Sequence, residues 1–265
     1  SLGAVDKTGR NVPSSAQFAS AISDKFLPAK FSKHDLMRVA ELAASQAGRS
    51  AFHQWLHDFF TPFDPTEAHL LLPAFRWKAI ATTNYDLLVE KAYERADNGA
   101  QSLVIRYKDN QPFGLMLEEH MHPLPFLKLH GCARYALDEQ VPLVLTPSSY
   151  NNHEANRGRL YAQIEELSAT YPVVYCGHSL SDLHIRRLSE EGDRSARPFH
   201  YLVSPDLEDE ELALWAERRV EGVKATFAEF MQALDIELAP LMRLPRPGNT
   251  EVDKPYRKFF TVNQD

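Results

Sequence analysis

Three short polar clusters in this 265-residue chain each follow an apolar run. Thr82-Thr83-Asn84-Tyr85-Asp86 follows Ile80, Lys128-Leu129-His130-Gly131 follows Phe126, and Gly177-His178-Ser179-Leu180-Ser181-Asp182 follows Val173 to Cys176. Their residue types suit chemistry on a polar small molecule. Asn84 offers a donor and an acceptor without a charge of its own. Asp86 brings a carboxylate that can order its loop or face a developing cation. His130 brings an imidazole, the side-chain type suited to accept a proton near neutral pH. Gly177 allows close approach of the backbone to a ligand, and Ser179 and Asp182 can cap a helix or hydrogen-bond sugar hydroxyls. Each cluster alone has a plainer reading. Asn84 or Asp86 can serve as a helix cap, and so can Ser179 or Asp182. A histidine before glycine can be structural. What is less common is their order and their shared place at the ends of apolar runs.

Those runs imply the elements that position the clusters. Ala79–Thr82, Leu103–Ile105, Phe126–Leu129, Leu143–Leu145, Val173–Cys176 and His200–Val203 are short, apolar and without helical period, so they read as buried strands. Helical stretches fall between several of them, near residues 87–92, 153–170, 181–190 and 207–219. This alternation predicts a Rossmann-like, doubly wound, mainly parallel α/β sheet. Ligands bind such sheets at the carboxyl ends of the strands, where the three clusters lie. An inserted or flanking helical portion is expected as well, and its signals come before the first of these runs. Pro13-Ser14-Ser15 is a cap signal ahead of Phe18, Ile22 and Phe26. Leu36 to Ala43 makes a second helical face, and Phe52, Trp55, Leu56, Phe59 and Phe60 a third, all read as core. His53 and His57 have the spacing of a metal pair, but they flank Trp55 with no cysteine near and are assigned to packing or surface. His120 and His122 are assigned no chemistry.

Composition excludes several function classes. The formal charge is −7, which gives no general attraction to phosphate backbones, so direct nucleic-acid binding is not expected. Apolar residues make up 44% and charged residues 25%, so the chain is not globally disordered. The two cysteines, Cys132 and Cys176, cannot build a four-thiolate zinc site or a disulfide framework. There is no apolar run near the ~20 residues of a membrane span and no signal-peptide pattern. The reducing cytoplasm is the expected location.

In their order along the chain the clusters resemble the sirtuin-like domains, and within them the zinc-free prokaryotic branch that consumes NAD+ in antiphage defence. Thr83-Asn84-Tyr85-Asp86 resembles the family's asparagine–aspartate segment, His130-Gly131 its catalytic histidine, and Gly177-His178-Ser179-Leu180 its glycine–x–serine segment. Val203-Ser204 falls where a late strand carries a ribose contact, and Leu145-Thr146-Pro147-Ser148-Ser149-Tyr150 resembles the branch's strand-then-tyrosine segment. The resemblance implies Asn84, His130 and Asp86 as catalytic residues. It implies Thr83, Gly131, Gly177, Ser179, Asp182 and Ser204 as NAD+ contacts. It further implies an NAD+ glycohydrolase that releases ADP-ribose and nicotinamide, with NAD+ as substrate, no other cofactor and no zinc. Sirtuin deacetylases carry a four-cysteine zinc module between the histidine and glycine–serine strands; here that interval holds Cys132, with Cys176 at its far edge. A non-catalytic module that binds NAD+ or ADP-ribose, and a protein deacylase, stay open as alternatives.

The resemblance also bears on domain organisation. The expected sirtuin-like domain spans residues 1–243. A linker with Pro245, Pro247 and Gly248, and the start of a following region, spans 244–265. The family's first strand and glycine turn are expected upstream of Ser1, although Gly3-Ala4 is a possible remnant of that turn. Lys254 to Phe260 resembles the lead-in to a signal-transducing NTPase module of STAND-type defence proteins; Argonaute-linked and helicase-linked systems are other homes for such effectors. The implied control is homo-oligomerisation through a region outside this chain, with a phage component as trigger.

Overall fold

A computed structural model describes residues 3–28, 31, 35–96, 101–120, 122–138, 140–141, 143–177, 180, 182–190 and 198–237. The expected linker at 244–265 lies outside the described residues, as do His178, Ser179 and Ser181.

Three helices come first: α1 (Ser15–Phe26), α2 (Leu36–Ala47) and α3 (Arg49–Phe60). The cap signal is borne out, because Ser14 accepts from the Gln17 amide while the Gln17 side chain accepts from Ser14 N–H, a reciprocal capping box. Asp35 caps α2 from one side only, its Oδ1 accepting from the Arg38 amide. Gly48, with φ +82°, turns the chain between α2 and α3. The aromatic face then closes on itself: Phe18 lies 5.3 Å from Phe59 and 5.0 Å from Phe60, ring centre to ring centre. Each buried phenyl of this kind contributes about 1.5–3 kcal/mol. His57, on the same helix, uses Nδ1 to contact the Ala133 carbonyl at 2.8 Å, which makes it a packing residue.

The α/β portion follows as α4 (Glu67–Leu70), β1 (Ile80–Thr82), α5 (Leu88–Glu94), β2 (Ser102–Arg106), α6 (Phe113–Glu118), β3 (Pro123–Lys128), α7 (Pro147–Asn151), α8 (Gly158–Thr170), β4 (Val174–Cys176), α9 (Leu183–Glu190), β5 (His200–Val203), α10 (Asp209–Ala216), β6 (Val220–Val223) and α11 (Phe227–Glu237). All pairing among the named strands is parallel, as expected for an α/β fold. The strands fall into two three-stranded sheets, β1-β3-β2 and β4-β5-β6. Phe126 and Leu127 of the central β3 are fully buried. Leu127 and Leu129 pack with Leu160, Tyr161 and Ile164 of α8 and with Tyr175, Leu202 and Val220 of the second sheet, so one apolar cluster spans both.

Two expectations differ from the structure. Leu143–Leu145 forms no strand; it is buried chain beside the loop after β3, tied to it by Val144 N–H to the His130 carbonyl at 2.9 Å. Conversely, Val220–Val223 is a strand that the apolar pattern does not announce, because Glu221 and Gly222 interrupt it.

Candidate functional site

Register brings the first two clusters together. Thr82 pairs with Lys128 at the carboxyl ends of β1 and β3, and Leu129 N–H continues the ladder onto the Thr82 carbonyl at 2.9 Å. The segments carrying Asn84 and His130 are therefore neighbours just beyond the sheet. The Ala133 amide donates to the Tyr85 carbonyl at 2.8 Å, and Tyr85 Oη donates to the Val144 carbonyl at 2.5 Å, which ties the Asn84 loop on its far side. Asn84 itself is exposed, with its amide on Thr82 Oγ1 at 3.0 Å, and Thr83 beside it is half-buried. Asp86 is buried, and its Oδ1 accepts from the Leu88 amide at 3.2 Å. Of the two roles open to this carboxylate, the geometry realises the ordering of the loop and the start of α5.

The other two strand ends pair in the same way. Cys176 of β4 is opposite Val203 of β5, and the Gly177 amide donates to the Val203 carbonyl at 3.3 Å. Gly177 is exposed with φ +62°, and no described atom lies within 4 Å of where a Cβ would stand. Ser204 is half-buried directly after β5. Gly131 is different. Its φ is +96°, and a Cβ there would meet Leu143 Cδ2 at 2.8 Å and Arg157 Nη2 at 3.3 Å. Its missing side chain is used for packing inside the protein, and its amide is spent on the Lys128 carbonyl at 3.1 Å.

One contact joins the two pairs of strand ends. His130 Nε2 lies 3.2 Å from Asp182 Oδ2, with both side chains almost out of solvent. The two atoms are in contact but are not aligned as a hydrogen bond. The Tyr150 hydroxyl and the His184 amide also donate to Asp182, the latter at 2.9 Å. Burial works against the ionised carboxyl, but the His130 contact and the bonds from Tyr150 and His184 outweigh it and hold the Asp182 pKa well below the usual carboxylate range. Burial first, then the bond to Asp182, raises the Tyr150 phenol above its ordinary value. Around this group the His153 and His184 rings stack with centroids 3.3 Å apart. Burial is the first cause that lowers both their pKa values, with the neighbouring His153 adding to it for His184.

A family model described as a SIR2-like domain matches residues 78–222, a little over half of the chain. The chain belongs to this family. The match starts just ahead of β1 and ends in β6, so it contains every strand end described above and leaves α1–α3 outside. Membership gives the SIR2-like chain an NAD+-related function. No curated protein matches it. Among the described residues no helix is long and apolar enough to cross a membrane. None of their His, Cys, Asp and Glu side chains gather in threes as a metal would need. Both cysteines are free thiols. Burial raises the Cys132 pKa and pushes that of Cys176 up to about 12, so neither is a ready thiolate nucleophile at neutral pH.

Three features of this site have no local signature in the sequence. Asp182, expected as an NAD+ contact, also has a partner in His130. Tyr150 entered through a resemblance and gains a definite bond. The buried Lys128 and Glu90 had no role. The only sequence signal for Lys128 was a cation inside an apolar strand run. Ser179 lies outside the described residues.

Proposed function

We propose that this SIR2-like domain is an NAD+ glycohydrolase. The observation that carries the reading is His130 just beyond β3, held by a largely buried, ionised Asp182 that Tyr150 also supports. Such a histidine is a proton acceptor with a fixed orientation. Asn84, exposed on the adjoining loop, binds the nicotinamide ribose or orients water. The bond between ribose C1′ and the nicotinamide nitrogen breaks, and its electron pair stays on the nitrogen, which becomes neutral. Water oxygen bonds to C1′, and the proton it loses passes to the His130 imidazole and then to solvent. The products are ADP-ribose, nicotinamide and one proton. Thr83, Gly177, Ser179 and Ser204 contact NAD+ along the strand ends. Gly131 shapes the turn that presents His130, and Asp182 orients it. Asp86 acts by holding the Asn84 loop.

Two cysteines are too few for the four-thiolate module of sirtuin deacetylases, which favours water over an acyl-peptide as acceptor. In the same reading the domain is a cytoplasmic effector of antiphage defence that depletes NAD+. Its activity is held in check until chains assemble, with a phage component as trigger; the resemblance to zinc-free defence sirtuins supports this part. The reaction is tested by incubating the complete, activated protein with NAD+ in ¹⁸O-labelled water. Equal amounts of nicotinamide and ADP-ribose, with one labelled oxygen in the ADP-ribose, are expected. Nicotinamide release with the ADP-ribosyl group transferred to another acceptor overturns the hydrolase reading, and NAD+ binding without release supports a binding module instead.

A further inference from the structure

Lys128 is the last residue of β3, two positions before His130, and its side chain is 1% exposed. Its ammonium reaches across to the neighbouring strand end. Nζ donates to the Asp86 carbonyl at 2.5 Å and to Glu90 Oε1 at 3.1 Å. Glu90 is equally buried, on the first turns of α5, and Cys132 Sγ lies 3.7 Å from the same Oε1. Burial opposes the charge on Lys128, but Glu90, then Cys132 and Asp86, favour it, and its pKa stays above the ordinary lysine value. Asp86 is thus pinned twice: its carboxylate holds the Leu88 amide, and its carbonyl holds Lys128.

A buried ion pair is a poor source of stability, because desolvation of both charges offsets most of their attraction, and apolar residues of similar volume often do as well. What the pair does supply is direction. An ammonium with fixed acceptors sets the separation of the groups that accept from it. Here one acceptor belongs to the segment carrying Asn84, and the donor belongs to the strand carrying His130.

We propose that Lys128, supported by Glu90, is a positioning residue that fixes the Asn84 loop against His130. The inference rests on the hydrolase reading for its kinetic consequence and on geometry alone for its structural one. A displacement of about 1 Å in a catalytic group lowers rates by about 100-fold, so the effect belongs in kcat.

The test is the double variant Lys128→Met/Glu90→Met in the full-length protein, beside Glu90→Gln, which keeps the bond from Lys128 to Asp86. The double variant is expected to fold, to keep the NAD+ KM within about threefold, and to lose at least tenfold in kcat for nicotinamide release. Glu90→Gln is expected to keep most of kcat. In parallel, the amides of Leu88 and Ala133, which bond to Asp86 and Tyr85, are followed by hydrogen exchange at a temperature where both proteins are fully folded. Exchange about tenfold faster at these two amides, with the β3 ladder unchanged, is the expected result. Wild-type kcat and wild-type exchange in the double variant overturn the proposal. So does a double variant that loosens β3 as much as the loop, since that marks Lys128 as general fold support. If the wild-type protein releases no nicotinamide, the hydrolase reading fails, and the exchange comparison still decides whether Lys128 holds the loop.

Discussion

The His130 imidazole and the Asp182 carboxylate meet 3.2 Å apart, although 52 residues separate them and their backbones follow strands of two different sheets. His130 lies two residues beyond β3; Asp182 lies six beyond β4 and immediately precedes α9. The contact marks where the carboxyl ends of the two parallel sheets come together. It also gives the histidine ring a fixed, negatively charged neighbour that sets its orientation.

Asp182→Asn keeps the shape of this neighbour and removes its charge. Under the proposed hydrolysis, kcat for nicotinamide release falls about 100-fold or more, while KM for NAD+ changes little, because the carboxylate acts through His130 rather than on the dinucleotide. A variant that instead raises KM with kcat preserved returns Asp182 to the role of a ligand contact.

Acid sensitivity follows from buried histidines. Burial lowers the His69 pKa from 6.5 to about 4, so the folded chain keeps it neutral while the unfolded chain protonates it. Its contribution is fully present above pH 6.5 and is lost as pH falls towards 4, on the order of 3 kcal/mol in all. His153 and His184, also lowered, act in the same direction. Asp182, with its depressed carboxyl, adds a loss at still lower pH, below the usual carboxylate range. Denaturant melts between pH 7.5 and 4.5 should show falling stability, and His69→Gln should flatten part of that slope. An unchanged slope contradicts the assignment.

Glycines 131 and 177 both have positive φ, yet their surroundings differ. Gly131→Ala combines backbone strain with contacts at 2.8 Å to Leu143 and 3.3 Å to Arg157. It should cost about 2–4 kcal/mol, roughly 5–12 °C in Tm. Gly177→Ala meets no described atom within 4 Å and should cost only about 1 kcal/mol. Thermal melts of the two variants side by side check the difference.

Much of this arrangement was legible in the sequence. Apolar runs located five of the six named strands within a few residues, and the polar clusters at their ends pointed to the candidate site. Ser14 announced its capping box. The rest depends on distance in space. The run at Leu143–Leu145 looks like a strand because it is buried, but its backbone makes single bonds rather than a ladder: Val144 N–H to the His130 carbonyl, the Val144 carbonyl from Tyr85 Oη, and Leu145 N–H to the Ser149 hydroxyl. The strand at Val220 is hidden by Glu221 and by Gly222, where a Cβ would collide with Leu212 Cδ2 at 2.0 Å. Lys128 and Glu90 look like ordinary surface charges until the fold places them together in the core. Asp182 carries a cap-like local signal, and its bond to the Leu183–Glu190 helix through the His184 amide is real. Its contact with His130 has no local signature.

The central claim is that His130 and Asn84 carry NAD+ hydrolysis. Its most direct measurement is nicotinamide release by the complete, activated protein and by its His130→Ala and Asn84→Ala variants, with NAD+ binding measured alongside. The account predicts robust release by the wild type and a loss of at least 100-fold in each variant, with both still folded and His130→Ala still binding NAD+. Undiminished release from either variant contradicts it.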